Sequence, residues 1–327
     1  MRSAMPLRLP DHWLWDFWFA RDAGEVHVFY LQAPRSLGDP DLRHHHASVG
    51  HAVTRDLRRW RVLPDALGPG PPGGFDDLAT WTGSILRRDG SWLMAYTGVS
   101  RAEHGRVQRV GLATSDDLTT WTRHGLALAA DPRWYDDGPA PTGDVHWRDP
   151  WLALDEDGRR VHVLVTARAR TGPADARGVI GHAWSDDLRT WEAGPPLSEP
   201  GEFAQLEVPQ LVHVGGAWRI LFSATPGDHG AARRGRAGVV AECGTHYLTA
   251  PERFGSYALS TDAFLAGDPV GHWYAGRLVR HGGAWHFFAW RLRDEHGAFV
   301  GELSDPMPVS VGTDGSLEVA LPGPRTM

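Results

Sequence analysis

Three carboxylates each open a short apolar run in this chain. Asp16 leads into Phe-Trp-Phe-Ala20, Asp149 into Pro-Trp-Leu-Ala153, and Glu207 into Val-Pro-Gln-Leu211. Acidic side chains are rarely buried without a partner or a task. Where three such runs converge, their carboxylates crowd one funnel and repel, which raises at least one pKa and prepares a proton donor near neutral pH. Cleavage of a glycosidic bond uses such a pair: a carboxylic acid protonates the leaving oxygen and a carboxylate acts as nucleophile or base. Two other uses stay open. The acids can bond to Arg148, Arg277 or backbone amides, or they can cage a metal with help from the run His44-His45-His46. A histidine run in a polar loop is ordinarily solvated, and neither a metal nor a cofactor is expected.

A repeated unit would bring the acids together. Ser115-Asp-Asp-Leu118 leads to Trp121 and Ser185-Asp-Asp-Leu188 to Trp191, while Thr54-Arg-Asp-Leu57 leads to Trp60 as a looser copy. Each copy follows a short apolar strand, and Val300–Asp305 looks like a fourth. Recurrence of this kind marks one supersecondary unit used several times. Aligned on it, innermost-strand candidates start near 16, 82, 149, 207 and 275, and a second strand follows each across a turn. The turns read Asp22-Ala-Gly24, Asp89-Gly90, Asp155-Glu-Asp-Gly158, Gly215-Gly216 and Gly282-Gly283. One unit is irregular after Ser223, and its Arg/Gly-rich stretch Ala231–Gly238 reads as a loop. Without helical periodicity of useful length, the pattern predicts an all-β, five-bladed β-propeller, with residues 1–327 as a single catalytic domain and no C-terminal β-sandwich. Innermost strands of a propeller converge on its axis, so their leading residues ring one pocket.

The bulk numbers allow this. A composition of 42% hydrophobic and 22% charged residues is that of an ordinary globular protein. A net charge of −7 argues against a nucleic-acid surface, although all 33 basic residues are arginine. Cys243 is the only cysteine, so no intrachain disulfide forms and secretion is not implied. Met1–Pro10 has no apolar core of a signal peptide, and no run is long enough to span a bilayer. A cytoplasmic protein taking a small saccharide, with no membrane partner, is expected. A homodimer that walls the pocket is compatible with that. The 16 tryptophans read mostly as core rings, a minority as stacking platforms for sugar.

The residues also resemble a known clan: the fructoside-active glycoside hydrolases of families 32 and 68, which holds invertases, inulinases and levansucrases. Val49-Gly-His-Ala-Val-Thr-Arg-Asp-Leu-Arg-Arg-Trp60, continuing to Leu63-Pro-Asp-Ala-Leu67, is similar to the family-32 pattern Trp-Gly-His-Ala-x-Ser-x-Asp-Leu-x-x-Trp-x-x-Leu-Pro-x-Ala-Leu. Trp81-Thr-Gly-Ser84 is similar to Phe-Ser-Gly-Ser or Trp-Ser-Gly-Ser, Trp147-Arg-Asp-Pro150 to the Arg-Asp-Pro motif, and Glu207-Val-Pro209 to Glu-Cys-Pro or Glu-Arg-Pro. Two departures count. Asn-Asp-Pro-Asn of the invertases is absent, Trp15-Asp-Phe-Trp18 being nearer the levansucrase Trp-Asp-Ser-Trp, and the chain stops after its fifth blade. Both bear on the sugar more than on the chemistry.

The resemblance implies Asp16 as nucleophile, Glu207 as general acid/base and Asp149 as a transition-state stabiliser holding sugar hydroxyls. Asp16 would then stay ionised, bonded to backbone amides of the leading strand ends. An apolar wall from Leu206 and Val208 would favour protonated Glu207. Arg148 would hold Glu207 or Asp149 in place. Trp15, Trp81 and Ser84 would line the sugar subsite, with Gln205 beside Glu207, and Tyr274 and Arg277 could complete the ring. For Trp81, Ser84 and Arg277 the plainer roles stay equally open: core ring, strand-end hydroxyl and neutralising cation. His51 reads as a blade residue, because His182 occupies the same slot.

The reading that follows is a retaining glycosidase or transglycosidase acting on a terminal β-fructofuranosyl or related furanosyl unit. Its rivals are an inverting, family-43-like arabinofuranosidase or xylosidase, a non-catalytic glycan-binding propeller, and a phosphorolytic enzyme using Arg233-Arg-Gly-Arg236.

Overall fold

The computed structural model describes residues 6–138 and 143–322. The remainder of the expected 1–327 domain, including the first half of the Met1–Pro10 stretch, lies outside the described residues. Strands dominate because valine, tyrosine, phenylalanine and tryptophan recur between turns that reverse the chain in two residues. Asp22–Glu25 is typical: Ala23 and Gly24 have φ of 46° and 82°. Asp89-Gly90, Gly215-Gly216 and Gly282-Gly283 share that left-handed pair, the geometry whose twist matches a β-hairpin.

Five antiparallel sheets result. Their innermost strands are His12–Asp22, Ala79–Arg88, Trp147–Leu154, Glu207–Val214 and Trp273–His281, in blades 1 to 5. Each contacts the next, and the fifth contacts the first, so the ring closes. Apolar clusters fill the space between successive blades, and Trp18 and Trp147 are wholly buried there. At the seam, Leu303 N–H donates to Leu7 O (3.0 Å), Arg35 Nη2 to Val300 O (3.3 Å) and Arg277 Nε to Phe17 O (3.2 Å). Among the described residues no β-sandwich follows blade 5, and no helix is long and apolar enough to cross a membrane.

The repeated Asp-Leu motif is a turn. Asp56, Asp117 and Asp187 each accept, through Oδ1, the backbone N–H groups two and three residues on. The following Leu57, Leu118 and Leu188 sit at φ of 60°, 62° and 62°. Val300–Asp305 supplies a strand, Phe299–Leu303, but not the turn; Ser304 leads on to Met307–Val311, which shares the third place in blade 5. His51 and His182 are blade residues. Their Nε2 atoms lie 2.9 Å from Nδ1 of His27 and of His162. One expectation fails: Ala231–Gly238 is not all loop. Ala231–Arg234 forms one helical turn that buries Arg233 between Glu202 (3.2 Å) and Asp262 (3.0 Å), and four residues are too few to show a 3.6 period.

What positions the site is a β-bulge at the leading end of every innermost strand. Register breaks at Asp16, Thr82, Asp149-Pro150, Val208-Pro209 and Ala275-Gly276. An extra unpaired residue bends the strand and re-aims a side chain, here toward the axis. Asp149, Val208 and Ala275 take φ of 57°, 53° and 51°, a costly conformation for a residue with a Cβ and most of all for valine. Gly83 closes the second bulge, where a Cβ would lie 2.3 Å from the Ala95 carbonyl oxygen. Gly83→Ala is therefore expected to cost about 1–3 kcal/mol, read from the urea midpoint. An unchanged midpoint would mean that the bulge yields freely.

Candidate active site

The five bulges surround a cavity of about 430 Å³. Asp16, Asp149 and Glu207 all line it, with Trp15, Trp81, Arg148, Gln205 and Tyr274. Ser84 and Arg277 do not, because the pleat turns them between blades. Ser84 Oγ accepts Leu152 N–H (2.8 Å) and ties blade 2 to blade 3. Arg277 lies beneath the floor, donating to Phe17 O and, at 2.5 Å, to Pro209 O. Burial pushes Arg277 down to about 10, with Asp149 and Asp16 pulling the other way.

Asp16 sits at a bulge with no ladder partner. Its oxygens are held by side chains from the two adjoining blades, not by backbone amides as the sequence suggested. Thr82 Oγ1 donates to Oδ2 (2.8 Å) and Trp290 Nε1 to Oδ1 (3.1 Å). Burial, then the charge of Asp149, raises Asp16 to about 7, partly offset by Thr82. The expectation of an acid that simply stays ionised thus gives way to one that titrates near neutrality. Asp16 itself is half-buried, whereas Asp149 is buried, and burial raises its pKa against the pull of Arg148. Its Oδ2 accepts Thr166 Oγ1 (2.9 Å) and Val208 N–H (3.1 Å), so blade 4's strained bulge clamps blade 3's acid.

Glu207 has no apolar wall at its carboxylate. Arg148 Nη2 donates to Oε1 and the Tyr274 hydroxyl to Oε2, both at 2.5 Å. Leu206 and Val208 are buried, the bulge having turned Glu207 away from them into the pocket. Burial, then Glu207, raises the Tyr274 phenol well above its ordinary value, which keeps it a donor. Arg148 reaches Asp149 with Nε (3.4 Å), Glu207 and Gln205 (3.2 Å) with Nη2, and Gln108 (3.2 Å) and His146 Nδ1 (2.8 Å) with Nη1.

Sequence reasoning missed Arg43, His44, Thr82, Gln108, His146, Thr225 and Trp290, which also line the cavity. Thr82 lay inside a quoted motif, flanked by two residues that drew the attention. Trp290 stands on a second strand, where nothing marks it. The histidine run is solvent-exposed, as expected, and lies in the 3₁₀ helix Pro40–His46, from which His44 also reaches the cavity lining. Trp81 Nε1 donates to His44 O (2.7 Å). Arg43 lies over the rings of Trp15 (5.6 Å) and Phe299 (4.7 Å).

A five-bladed propeller with acids facing one another across a small axial cup is an architecture suited to cutting glycosidic bonds. The chain belongs to glycosyl hydrolases family 32: the family's N-terminal domain matches residues 16–264. Sucrose-6-phosphate hydrolase of Klebsiella pneumoniae is 30% identical over 204 residues, which cover 61% of this chain and 37% of that protein. The chain thus spans well under half the length of that curated relative. Among solved structures, inulosucrase from Halalkalicoccus jeotgali bound to kestose superposes with a TM-score of 0.78 at 21% identity, over 98% of this chain and 90% of that one. An exo-1,5-alpha-L-arabinanase from a bovine ruminal metagenomic library reaches 0.63 at 16%, over 94% and 97%. At such identities the likeness is one of fold.

The raised Asp16 pKa has a consequence for stability. A group whose folded pKa exceeds its unfolded value of 3.8 contributes stability below that value, and the contribution is lost as pH climbs through about 7. Asp16→Asn removes this burden. Its melting temperature should exceed that of the parent by a margin that grows between pH 4 and pH 8. A constant margin across that range would contradict the half-buried, titrating carboxylate.

Proposed function

We propose that the protein transfers a terminal β-fructofuranosyl unit to water or to a sugar hydroxyl, with retention, through a covalent furanosyl-enzyme. The carrying observation is that three carboxylates, Asp16, Asp149 and Glu207, line one cup on a chain of this family. Asp16 is gripped by two neutral donors, whereas Glu207 is gripped by a guanidinium and a phenol. In the first step Glu207, carrying a proton, gives it to the leaving oxygen as ionised Asp16 attacks the anomeric carbon. In the second, Glu207 as carboxylate takes a proton from the acceptor, whose oxygen displaces Asp16. Asp149, with Oδ2 taken up by Thr166 and Val208, turns Oδ1 to furanose hydroxyls. Trp15, Trp81, Gln205 and Tyr274 would form the walls of the furanose subsite.

Relatives support the fructosyl choice: the curated matches include a beta-fructofuranosidase of Zea mays and a fructosyltransferase of Asparagus officinalis. The arabinanase likeness keeps the inverting reading as the second one. The phosphorolytic reading loses its pointer, because Arg233 and Arg236 are occupied by Glu202 and Asp262. The whole chain as one catalytic domain, a cytoplasmic setting and a homodimer belong to this proposal as well. A buried lone Cys243 and the absence of any required disulfide favour the cytoplasm.

Sucrose, inulin-type oligosaccharides, levan and nitrophenyl arabinofuranoside are the substrates to offer. Glu207→Gln is expected to lower kcat by about 10²–10⁴-fold, the range of a general acid-base group. Asp16→Ala should leave no covalent intermediate for mass spectrometry to detect. For the parent enzyme kcat/KM should fall as pH drops below about 7, because Asp16 must be ionised to attack. NMR of the first-formed anomer decides the stereochemistry, and inversion would hand the site to the arabinanase-like reading. Turnover of none of these furanosides would remove the proposal.

A further inference from the structure

We infer that His146 is a positioning residue for Glu207, acting through Arg148 and not on the sugar. This rests on the reading of Glu207 as the acid–base group. A guanidinium has five N–H donors in a fixed planar fork and no acceptor. Four of Arg148's are hydrogen-bonded, one Nη2 hydrogen each toward Glu207 and Gln205 and one Nη1 hydrogen each toward His146 and Gln108, while Nε lies 3.4 Å from Asp149 Oδ2 as an ion pair. Two of those partners are the acids themselves. The other three come from separate stretches of chain and belong to none of the family motifs.

Among the three, His146 makes the closest contact, 2.8 Å against 3.2 Å for each glutamine. It acts on Nη1, the prong opposite the one that holds Glu207. Because the fork is rigid, fixing the Nη1 edge fixes the direction of Nη2. The chemistry also dictates the state of the ring. Arg148 only donates, so His146 Nδ1 must offer its lone pair and the proton must sit on Nε2. An imidazolium would set a second positive charge against the guanidinium. The surroundings oppose that form: the ring is buried, and Arg168 and Arg177 act on it as well as Arg148. Burial first, then Arg148, pushes its pKa down to about 3, so the accepting tautomer persists through the working range. A space-filling role would not require a basic nitrogen facing a guanidinium.

Three variants of the full-length protein test this on whichever furanoside the parent turns over. In His146→Asn the side-chain carbonyl takes the place of Nδ1. In His146→Gln the amide lies instead where Nε2 was, and His146→Leu offers no acceptor. Asn should retain most of kcat, whereas Gln and Leu should lower it about 10- to 100-fold with KM unchanged, the scale of a misplaced catalytic group. Equal behaviour of Asn and Gln, a Leu variant with parental kcat, or a loss expressed only in KM would each overturn the inference. Should Leu fail to fold, the Asn–Gln comparison decides. A crystal structure of the Leu variant gives an answer free of turnover. Arg148 should leave hydrogen-bond distance of Glu207, and an unmoved contact overturns the inference. If Asp16→Ala is dead while His146→Leu matches the parent, this inference alone falls.

Discussion

Everything at the axis depends on one guanidinium shared between two carboxylates and three neutral acceptors. Arg148 is buried, and an isolated buried cation would be expensive. It is tolerated because two carboxylates neutralise it and all four hydrogens of its two prongs find acceptors. The reverse holds for the acids. Glu207 and Asp149 could not crowd one cup without a cation between them, and a lysine, with three donors on a point charge, could not bridge five partners. Asp16 is the carboxylate this guanidinium does not bond, and it is the one whose pKa burial drives to about 7.

Holding that geometry falls to the backbone. A regular strand end would alternate its side chains into the interblade cores on either side. Each innermost strand instead inserts a residue, and in three blades a non-glycine residue sits in the left-handed region. Val208 is the least comfortable of these. Its N–H is also the donor that fixes Asp149, so the strain in blade 4 and the orientation of an acid in blade 3 are one interaction. The blades are thus coupled across the axis by polar contacts and between their faces by apolar ones.

Much of the fold was legible because propeller blades repeat. Hairpin turns of Gly and Asp, apolar strands and a recurring Asp-Leu turn fixed five units and their order. The leading acids followed from that order. What stayed hidden depended on geometry that leaves no local trace. Four of the bulges are marked only by a following proline or glycine and the one at Asp16 by neither, so which way Ser84 and Arg277 face could not be read. Gln108, His146 and Trp290 come to the pocket from a loop, an interblade crossing and a second strand, with no motif around them. The most conspicuous repeat turned out to serve the outer turns, while the quieter residues gather at the axis.

The paired imidazoles of blades 1 and 3 bring one more consequence. Burial, as the first cause, holds His51 and His182 down to about 3 and His162 to about 4. Groups depressed in this way support the native state above an unfolded value of 6.5 and surrender that support as the solution turns acidic. Asp16 leans the other way, weighing on the native state increasingly as pH climbs from 3.8 to about 7. The two demands overlap on the acid side of neutrality: as pH falls below 6.5 the scaffold histidines begin to weigh on the fold while the reactive carboxylate sheds its burden, so one partly offsets the other and the acid limit of the fold is set by their difference.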